Sequence, residues 1–152
     1  MESSGIPHLV KHGAATQLVV NGKPFLILGG ELGNSSASIA SYLDPYWKNF
    51  NEMHMNAVVV PAYWELIEPE EGHFDFSTID SAVFAARRHD LKIVFLWFGT
   101  WKNSMSCYVP LRVKTDEKRF PRARTKNGEA QEILTPFSTN NRDADARAFA
   151  AL

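Results

Sequence analysis

The chain has 152 residues, of which 45% are hydrophobic and 22% are charged, so its composition allows the buried core of one ordinary domain. Its formal net charge of −1 gives no global reason to expect a nucleic-acid partner or a membrane surface. The single cysteine, Cys107, excludes an internal disulfide framework and a cysteine-rich zinc site. The opening residues lack the apolar core of a signal peptide, and no stretch approaches the ~18 apolar residues of a membrane span. We therefore expect a soluble chain, and the sequence indicates no particular compartment.

The first predicted elements form a β-hairpin. Thr16–Val20 and Pro24–Leu28 have the composition of two strands, and Asn21-Gly22 between them favours a tight turn. Proline lacks an amide donor, so Pro24 suits the start of a strand. We expect residues 1–14 to form an extension that precedes this hairpin.

Helices and strands alternate after the hairpin. A helix is predicted to begin at Asp44-Pro45, with the aspartate as its cap. Ala57–Ala62 is a short apolar run of the kind found in strands that are covered on both faces. The sequence Ser77 to Asp80 matches a capping box and predicts the next helix, and Leu91–Phe98 predicts another buried strand.

The carboxyl-terminal third combines a long connection with the start of a last helix. The connection runs from Gly99 to Asn140, and Lys126-Asn127-Gly128-Glu129 within it is typical of a hairpin turn. The final residues, NNRDADARAFAAL, predict a helix capped by Asn140 or Asn141. Because no helix-ending signal precedes Leu152, we interpret the sequence as truncated inside or just after this helix.

The order of elements is a hairpin followed by three strand–helix units, which favours an α/β fold with a parallel sheet and helical crossovers. Two architectures fit this order: a small open sheet, or the first part of an eight-unit barrel of ~250 residues. Both place functional residues at the carboxyl ends of the strands.

The predicted strand ends carry carboxylate, amide, ammonium and aromatic groups. These candidate substrate-binding residues are Glu31, Tyr63, Trp64, Glu65, Trp101, Lys102 and Asn103. Aromatic rings stack on the apolar faces of sugars, and carboxylates and amides hydrogen-bond their hydroxyls, so the cluster predicts a saccharide site. Packing in the core is an equal alternative for each tryptophan, and for Trp97, which lies inside a strand, it is the favoured one.

Four glutamates in one loop raise the question of an acid–base pair. Glu65, Glu68, Glu70 and Glu71 all follow the second parallel strand, whereas a glycosidase needs two carboxyl groups that flank the scissile bond from different sides. We therefore predict that they are not a catalytic pair. Glu65 is expected to face the site, Glu68 to accept backbone amides and brace the loop, and the other two to be solvated.

Other motifs predict no cofactor and no metal site. The sequence GGELG lacks the spacing of a dinucleotide loop, and the histidines lack metal-ligand spacing. Cys107 has no activating base nearby in sequence, which favours a buried, inert thiol. The basic run from Lys114 to Lys126 is interpreted as a solvated face, or as a contact for an acidic glycan substituent or a neighbouring domain.

Five segments of the sequence carry a family resemblance: NGKPFLILGGE, GELGNS, NAVVVPAYWELIEPEEGHFDFSTID, LWFGTWKNSMSCY and KRFPRA. Together they resemble the start of the catalytic barrel in glycoside hydrolase family 35, the β-galactosidases, and in particular its bacterial branch. The likeness runs from about Leu18 to the end of the chain. It implies that residues 15–152 are the amino-terminal part of a (β/α)8 TIM barrel, with about three βα units after the hairpin.

The resemblance also implies where the catalytic glutamates lie. In that family the acid/base glutamate follows the fourth barrel strand in an Asn-Glu pair, and the nucleophile follows the seventh strand. Three barrel strands are predicted here, and the one Asn-Glu pair, Asn51-Glu52, lies inside a predicted helix. Both catalytic positions are therefore expected beyond Leu152.

The expected function is that of a fragment. The chain would supply pocket residues to a retaining β-galactosidase-like enzyme that hydrolyses terminal glycosides, and it would be inactive alone. Its expected partners are a β-linked saccharide and the remainder of the barrel. The alternative from another class is a non-catalytic carbohydrate-binding or interaction module.

One position departs from the family pattern. Many members carry Ala-Glu-Trp after the third strand, and that glutamate touches the sugar. Here the corresponding residues are Gly99-Thr100-Trp101, so Thr100 replaces the carboxylate. A β-glycosidase is therefore a safer expectation than specificity for galactose.

Overall fold

The computed structural model describes residues 5–103 and 106–152. Its first three strands form an antiparallel sheet: β1 (His8–His12), β2 (Ala15–Val20) and β3 (Lys23–Pro24). The turn between β2 and β3 lies at Asn21 and Gly22, whose φ angles of 50° and 74° are the left-handed values that a tight hairpin requires. The predicted hairpin is confirmed, although its second strand ends at Pro24 rather than at Leu28. The sequence did not predict β1, which pairs with β2 from within the expected extension.

A parallel sheet forms the centre of the fold. Its strands are β4 (Gly29–Glu31), β5 (Ala57–Tyr63) and β6 (Lys92–Phe98), in the order β4-β5-β6. A Cβ atom at position 29 would overlap the carbonyl oxygen of Ala57, so the close approach of β4 to β5 requires Gly29. The side chain of Asn56 fixes the entry to β4, because it accepts a hydrogen bond from the amide of Leu28 and donates one to the carbonyl of Leu26.

Helices connect the parallel strands. The connection from β4 to β5 contains α1 (Ala40–Leu43) and α2 (Tyr46–Glu52), a single turn, α3 (Trp64–Ile67), follows β5, and α4 (Ser77–Arg88) leads to β6. The predicted alternation of strands and helices is therefore present, and the chain is a mixed α/β protein. None of the helices described is both long and apolar enough to cross a membrane.

Two predicted helix caps are wrong. The side chain of Asp44 makes no capping hydrogen bond, because this residue still has helical backbone angles at the end of α1. The first residue of α4, Ser77, is already helical, and the cap-like bond is made by Asp75, whose Oδ1 accepts from the amide of Ser77 at 2.8 Å.

The long connection after β6 has structure of its own. It contains α5 (Leu111–Thr115) and a hairpin of β7 (Arg122–Arg124) and β8 (Ala130–Leu134), and it leads into α6 (Thr139–Ala151). The predicted hairpin turn is confirmed, with Gly128 at a φ angle of 87°.

The last helix has a different cap from the one predicted. Ser138 caps α6 by accepting a hydrogen bond from the amide of Asn141. The side chain of Asn141 is buried instead, and its amide group donates to the carbonyls of Pro121 and Thr135. This asparagine therefore ties the start of α6 to the β7–β8 hairpin.

The core consists of two main clusters. In the first, Val58 and Val60 of β5 pack against Ala82, Ala85 and Ala86 of α4, because alternate residues of the strand face the helix. The second cluster joins α3, α5, α6 and the hairpin of the long connection. Its buried members are Trp64, Cys107, Val109, Val113, Phe120, Leu134, Ala144 and Ala148.

Candidate functional site

The candidate site lies at the carboxyl edge of the parallel sheet. Because β4, β5 and β6 run in the same direction, Glu31 and Tyr63, which end β4 and β5, lie at the same edge as the residues that follow Phe98 of β6. The sequence-predicted residues come from these three strand ends. The structure brings some of them together at the surface and places others in the core.

Glu31, Lys102 and Asn103 meet at the exposed edge. The ammonium nitrogen of Lys102 lies 3.4 Å from Glu31 Oε1 and 4.5 Å above the centre of the Phe98 ring. Asn103 Oδ1 accepts a 3.4 Å hydrogen bond from Asn34 Nδ2. The side chain of Lys102 is 17% exposed and that of Glu31 is 53% exposed, so the pair faces solvent on one side. Two residues that are 71 positions apart in the sequence thus contribute to one polar surface.

Tyr63 lies beneath this surface. Its ring is buried against Phe98 and Tyr108, with both centroids 5.6 Å away, and its hydroxyl accepts a 3.2 Å hydrogen bond from the amide of Ala37. Burial raises the pKa of Tyr63 to about 12. Tyr63 therefore supports the loop that follows β4, whereas the sequence predicted that it lines the pocket.

Trp64 is completely buried, which differs from the expected pocket-lining position. The helical turn α3 begins at this residue and directs its ring into the second core cluster. Its indole nitrogen donates a 2.7 Å hydrogen bond to Glu68 Oε2. The core alternative that the sequence left open describes this tryptophan better, because no part of its ring reaches the strand-end surface.

Glu65 and Trp101 remain partly accessible. Glu65 Oε2 forms a 3.0 Å ion pair with Lys114 of α5, and its side chain is 36% exposed. Trp101 is 62% exposed at the end of β6. Trp97, by contrast, packs against the second core cluster and against a smaller group of buried residues, Ala62, Ile67 and Ile79, as expected for a residue inside a strand.

Glu68 is the centre of a buried ion network. Its Oε1 accepts a 2.8 Å hydrogen bond from the amide of Gly72, which confirms the predicted bracing role. Two arginines, Arg112 and Arg147, lie 3.0 Å from its two oxygens. Burial opposes ionisation, but the hydrogen bonds from Gly72, Trp64 and Arg147 and the charge of Arg112 outweigh it and hold the pKa of Glu68 below its ordinary value.

Glu71 was predicted to be solvated, and its side chain is 37% exposed, but it also has ion-pair partners that the sequence did not predict. Arg119 binds both of its carboxylate oxygens, at 2.7 and 2.8 Å, in a bidentate pair that lowers the pKa of Glu71. Arg147 and Arg112 lie 3.5 and 3.9 Å from the same carboxylate. Glu65, Glu68 and Glu71 are therefore paired with lysine and arginine side chains from much later in the chain.

The basic run from Lys114 to Lys126 is the source of several of these contacts. Lys114 and Arg119 pair with the loop glutamates, and Arg122 donates to the carbonyls of Lys114 and Glu132. These three side chains bind the chain's own groups, whereas Lys118, Arg124 and Lys126 are exposed, so only part of the run is the solvated face that the sequence predicted.

Thr100 lies beside a carboxylate of the last helix. Its amide donates a 3.0 Å hydrogen bond to Asp145 Oδ2, and the indole nitrogen of Trp97 donates a 2.6 Å bond to Asp145 Oδ1. Sequence reasoning missed Asp145 because α6 lies 45 residues after Thr100 in the chain. No local signal points to this contact.

The chemistry available at the edge is that of recognition. Glu31, Lys102 and Asn103 offer acceptors and donors for hydroxyl groups at the exposed edge, and Glu31, like Glu65, Glu68 and Glu71, is paired with a cation. Cys107 is buried, its thiol donates to the carbonyl of Glu132, and burial raises its pKa, which agrees with the predicted inert thiol. Within residues 5–103 and 106–152, no group of three or more acidic, histidine or cysteine side chains could hold a metal ion.

Comparisons with known proteins agree on the class of enzyme. Residues 40–100 match a family model described as Glyco_hydro_42, β-galactosidase. A β-galactosidase of Xanthomonas manihotis is 35% identical over 66 residues, which cover 41% of this chain and 10% of the relative. The chain thus spans about a tenth of the length of that curated relative.

Solved structures show the same fold. A β-galactosidase from the psychrophilic Marinomonas ef1 superposes with a TM-score of 0.63 at 15% identity, covering 83% of this chain and 19% of the other. The catalytic domain of a β-amylase from Paenibacillus polymyxa gives 0.60 at 18% identity, covering 81% and 31%. These neighbours are TIM-barrel glycoside hydrolases. The chain therefore resembles glycoside hydrolases of the β-galactosidase kind, and family 35 itself is not confirmed because the matching family model is that of family 42.

Proposed function

We propose that the chain is the amino-terminal portion of a (β/α)8 β-glycosidase, related to the β-galactosidases, in which it supplies part of the sugar pocket. The proposed pocket residues are Glu31, Glu65, Trp101, Lys102 and Asn103. Tyr63 and Trp64 take the role of buried supports under this surface. The catalytic acid/base and nucleophile belong to polypeptide beyond these 152 residues.

The observation that carries this proposal is the state of the carboxylates at the strand ends. A general acid of a glycosidase needs a raised pKa, so that it holds a proton near neutral pH. Glu68 and Glu71 have lowered pKa values, because arginines and hydrogen-bond donors stabilise their charged forms. Glu65 is in contact with Lys114, and Glu31 with Lys102. Glu68 and Glu71 are therefore not suited to donate a proton near neutral pH, which supports a structural role for these two residues.

The position of the polar edge supports a substrate pocket. In TIM-barrel enzymes the active site lies at the carboxyl ends of the strands. The edge formed by Glu31, Lys102 and Asn103 has that position in a fold whose solved neighbours are glycoside hydrolases. Trp101, exposed beside it, offers a flat ring for the apolar face of a sugar.

The proposed reaction of the whole enzyme is hydrolysis of terminal β-glycosides with retention. That mechanism uses two carboxyl groups ~5–5.5 Å apart, one as nucleophile and one as acid and base in turn. The proposed substrate is a β-linked, galactoside-like saccharide. The proposal does not include strict specificity for galactose, because Thr100 stands where many members of the resembled family carry a sugar-binding glutamate.

Saccharide titration of the purified chain tests the proposed pocket. Backbone amide resonances of Lys102 and Asn103 are expected to shift on addition of a β-galactoside at millimolar concentration. Resonances of the distant hairpin turn at Gly128 provide the internal control. If no strand-end resonance moves while the chain is folded, the proposed pocket is wrong.

A further inference from the structure

The carboxylate of Asp145 connects the last helix to the strand end that carries the proposed pocket. It accepts a 2.6 Å hydrogen bond from the indole nitrogen of Trp97 and a 3.0 Å bond from the amide of Thr100. Asp145 lies on α6, whereas Trp97 is the penultimate residue of β6. Both donors are neutral N–H groups, so these are hydrogen bonds to a charged acceptor, which are stronger than neutral ones.

The backbone at Gly99 is shaped to receive this carboxylate. A Cβ atom at position 99 would lie 2.6 and 2.7 Å from the two oxygens of Asp145 and 2.6 Å from the indole nitrogen of Trp97. Real Cβ atoms do not approach polar atoms this closely. The absence of a side chain at Gly99 is therefore what allows the aspartate to reach the end of the strand.

The contact fixes the direction in which the chain leaves β6. The amide of Thr100 is bound by Asp145, and its carbonyl accepts a 3.4 Å hydrogen bond from the amide of Leu134. Two residues later, the amide of Lys102 donates to the carbonyl of Ser106, and the Lys102 ammonium group reaches Glu31. The placement of the Lys102–Glu31 pair thus depends on where Thr100 is held.

We propose that Asp145 is a positioning residue for the saccharide surface, acting through Thr100 on Lys102 and Asn103. This inference rests on the proposed function for its ligand, a β-linked saccharide. Asp145 does not touch the sugar; it holds the segment that does. Helix α6 thereby sets the position of the segment that carries Lys102 and Asn103.

An amide substitution tests this role with little change in shape. Asp145→Asn keeps one acceptor oxygen and presents an NH₂ donor to a second N–H group, so one of the two hydrogen bonds is lost. The matched control is Asp143→Asn on the same helix, because Asp143 is exposed and contacts Arg142. Circular dichroism and thermal melts establish that each variant is folded.

The first readout is structural and needs no ligand. In Asp145→Asn, the ¹H–¹⁵N resonances of the Trp97 indole and of the Thr100, Lys102 and Asn103 amides are expected to move, and in Asp143→Asn they are expected to stay. The second variant, Gly99→Ala, displaces the carboxylate with Asp145 intact and is expected to move the same resonances. If Asp145→Asn does not fold, the resonances of the Gly99→Ala variant test the proposal instead. Unmoved Lys102 and Asn103 resonances in a folded variant overturn the proposal.

The second readout is affinity for a β-galactoside. Asp145→Asn is expected to raise Kd about threefold to tenfold, the range that corresponds to one lost hydrogen bond. Asp145→Glu keeps a carboxylate and is expected to raise Kd less than Asp145→Asn does. Asp143→Asn should leave Kd unchanged. A folded Asp145→Asn variant with wild-type affinity overturns the positioning role. If the wild-type chain binds no saccharide, the proposed function fails, and the resonance shifts still decide whether Asp145 positions the segment.

Discussion

Glu68 and Arg147 meet at 3.0 Å although 79 residues separate them in the sequence. The carboxylate lies in the turn after α3, and the guanidinium comes from the last helix, so the contact ties the second strand–helix unit to the end of the chain. Arg112 of α5 approaches the second oxygen of the same carboxylate. This ion network holds the glutamate-rich loop after β5 against α5 and α6, so the loop has a structural role.

Replacing Glu68 is expected to be strongly destabilising. Glu68→Gln removes the charge that neutralises Arg112 and Arg147, and breaking a buried ion pair in this way costs about 3 kcal/mol of unfolding free energy or more. Urea unfolding followed by tryptophan fluorescence measures the change. Glu70→Gln is the matched control, because Glu70 is an exposed glutamate in the same loop, and a change within about 0.5 kcal/mol is expected there. Equal effects of the two substitutions would refute the central role of Glu68.

Stability is expected to fall in acid. The folded-state pKa values of Glu68 and Glu71 are lowered, so at acid pH the unfolded chain binds more protons than the folded chain. Their contribution is fully present above the ordinary glutamate pKa of about 4.5 and is lost as pH falls through the lower folded values. Urea midpoints measured from pH 7 down to pH 3 test this. The slope of stability against pH should be smaller in Glu68→Gln than in the wild type, and identical slopes would contradict the assignment.

The Lys102–Glu31 pair is expected to contribute to saccharide affinity. Lys102→Met keeps most of the side-chain length but removes the ammonium group, and with it the contacts to Glu31 and to the Phe98 ring, so Kd for a β-galactoside should rise about threefold to tenfold. Lys48→Met is the control, because Lys48 also pairs with a glutamate, Glu52, but on the exposed face of α2. Calorimetric titration of both variants provides the comparison. An equal loss of affinity in Lys48→Met and Lys102→Met would contradict a specific role of the Lys102–Glu31 pair in saccharide binding.

The free edge of β6 is expected to promote association. Within the described residues this seven-residue strand pairs with β5 on one side, and Val94 on it is 44% exposed. A long apolar strand edge is a template for pairing with another chain, and a charge on the strand opposes such pairing. Val94→Lys should therefore shift the sedimentation profile towards monomer. Phe137→Lys removes a more exposed apolar side chain away from this strand, and an equal shift in that variant would argue against the edge as the cause.

Local patterns allowed two of the parallel strands and two hairpin turns to be predicted. Ala57–Tyr63 and Lys92–Phe98 were found within one residue at each end because a continuous apolar run that is bounded by polar residues has few alternatives. The hairpin turns at Asn21-Gly22 and Gly128 were found because their left-handed backbone favours those residue types. The caps were missed because residues that can cap a helix occur at neighbouring positions, Asp75 and Ser77 at the start of α4 and Ser138, Asn140 and Asn141 at the start of α6, and packing decides which one is used.

The candidate site was predicted only in part because its contacts are long-range. Glu31, Lys102 and Asn103 were found because residues at parallel strand ends share one edge. The buried state of Trp64 depends on α3 beginning immediately after β5 and on a cluster built from α5 and α6. The partners of Glu68, Glu71 and Thr100 lie in elements that are tens of residues away, and no spacing rule identifies such pairs.

The most direct test of the central claim is a hydrolysis assay of the purified 152-residue chain with a chromogenic β-galactoside. The account predicts that the chain binds the saccharide at its strand-end surface and releases no chromophore above the rate of the buffer. Turnover at enzymatic rates that is abolished by Glu65→Gln, in a variant whose melt matches the wild type, would contradict it. That result would mean that a carboxylate paired here with a lysine is a catalytic group.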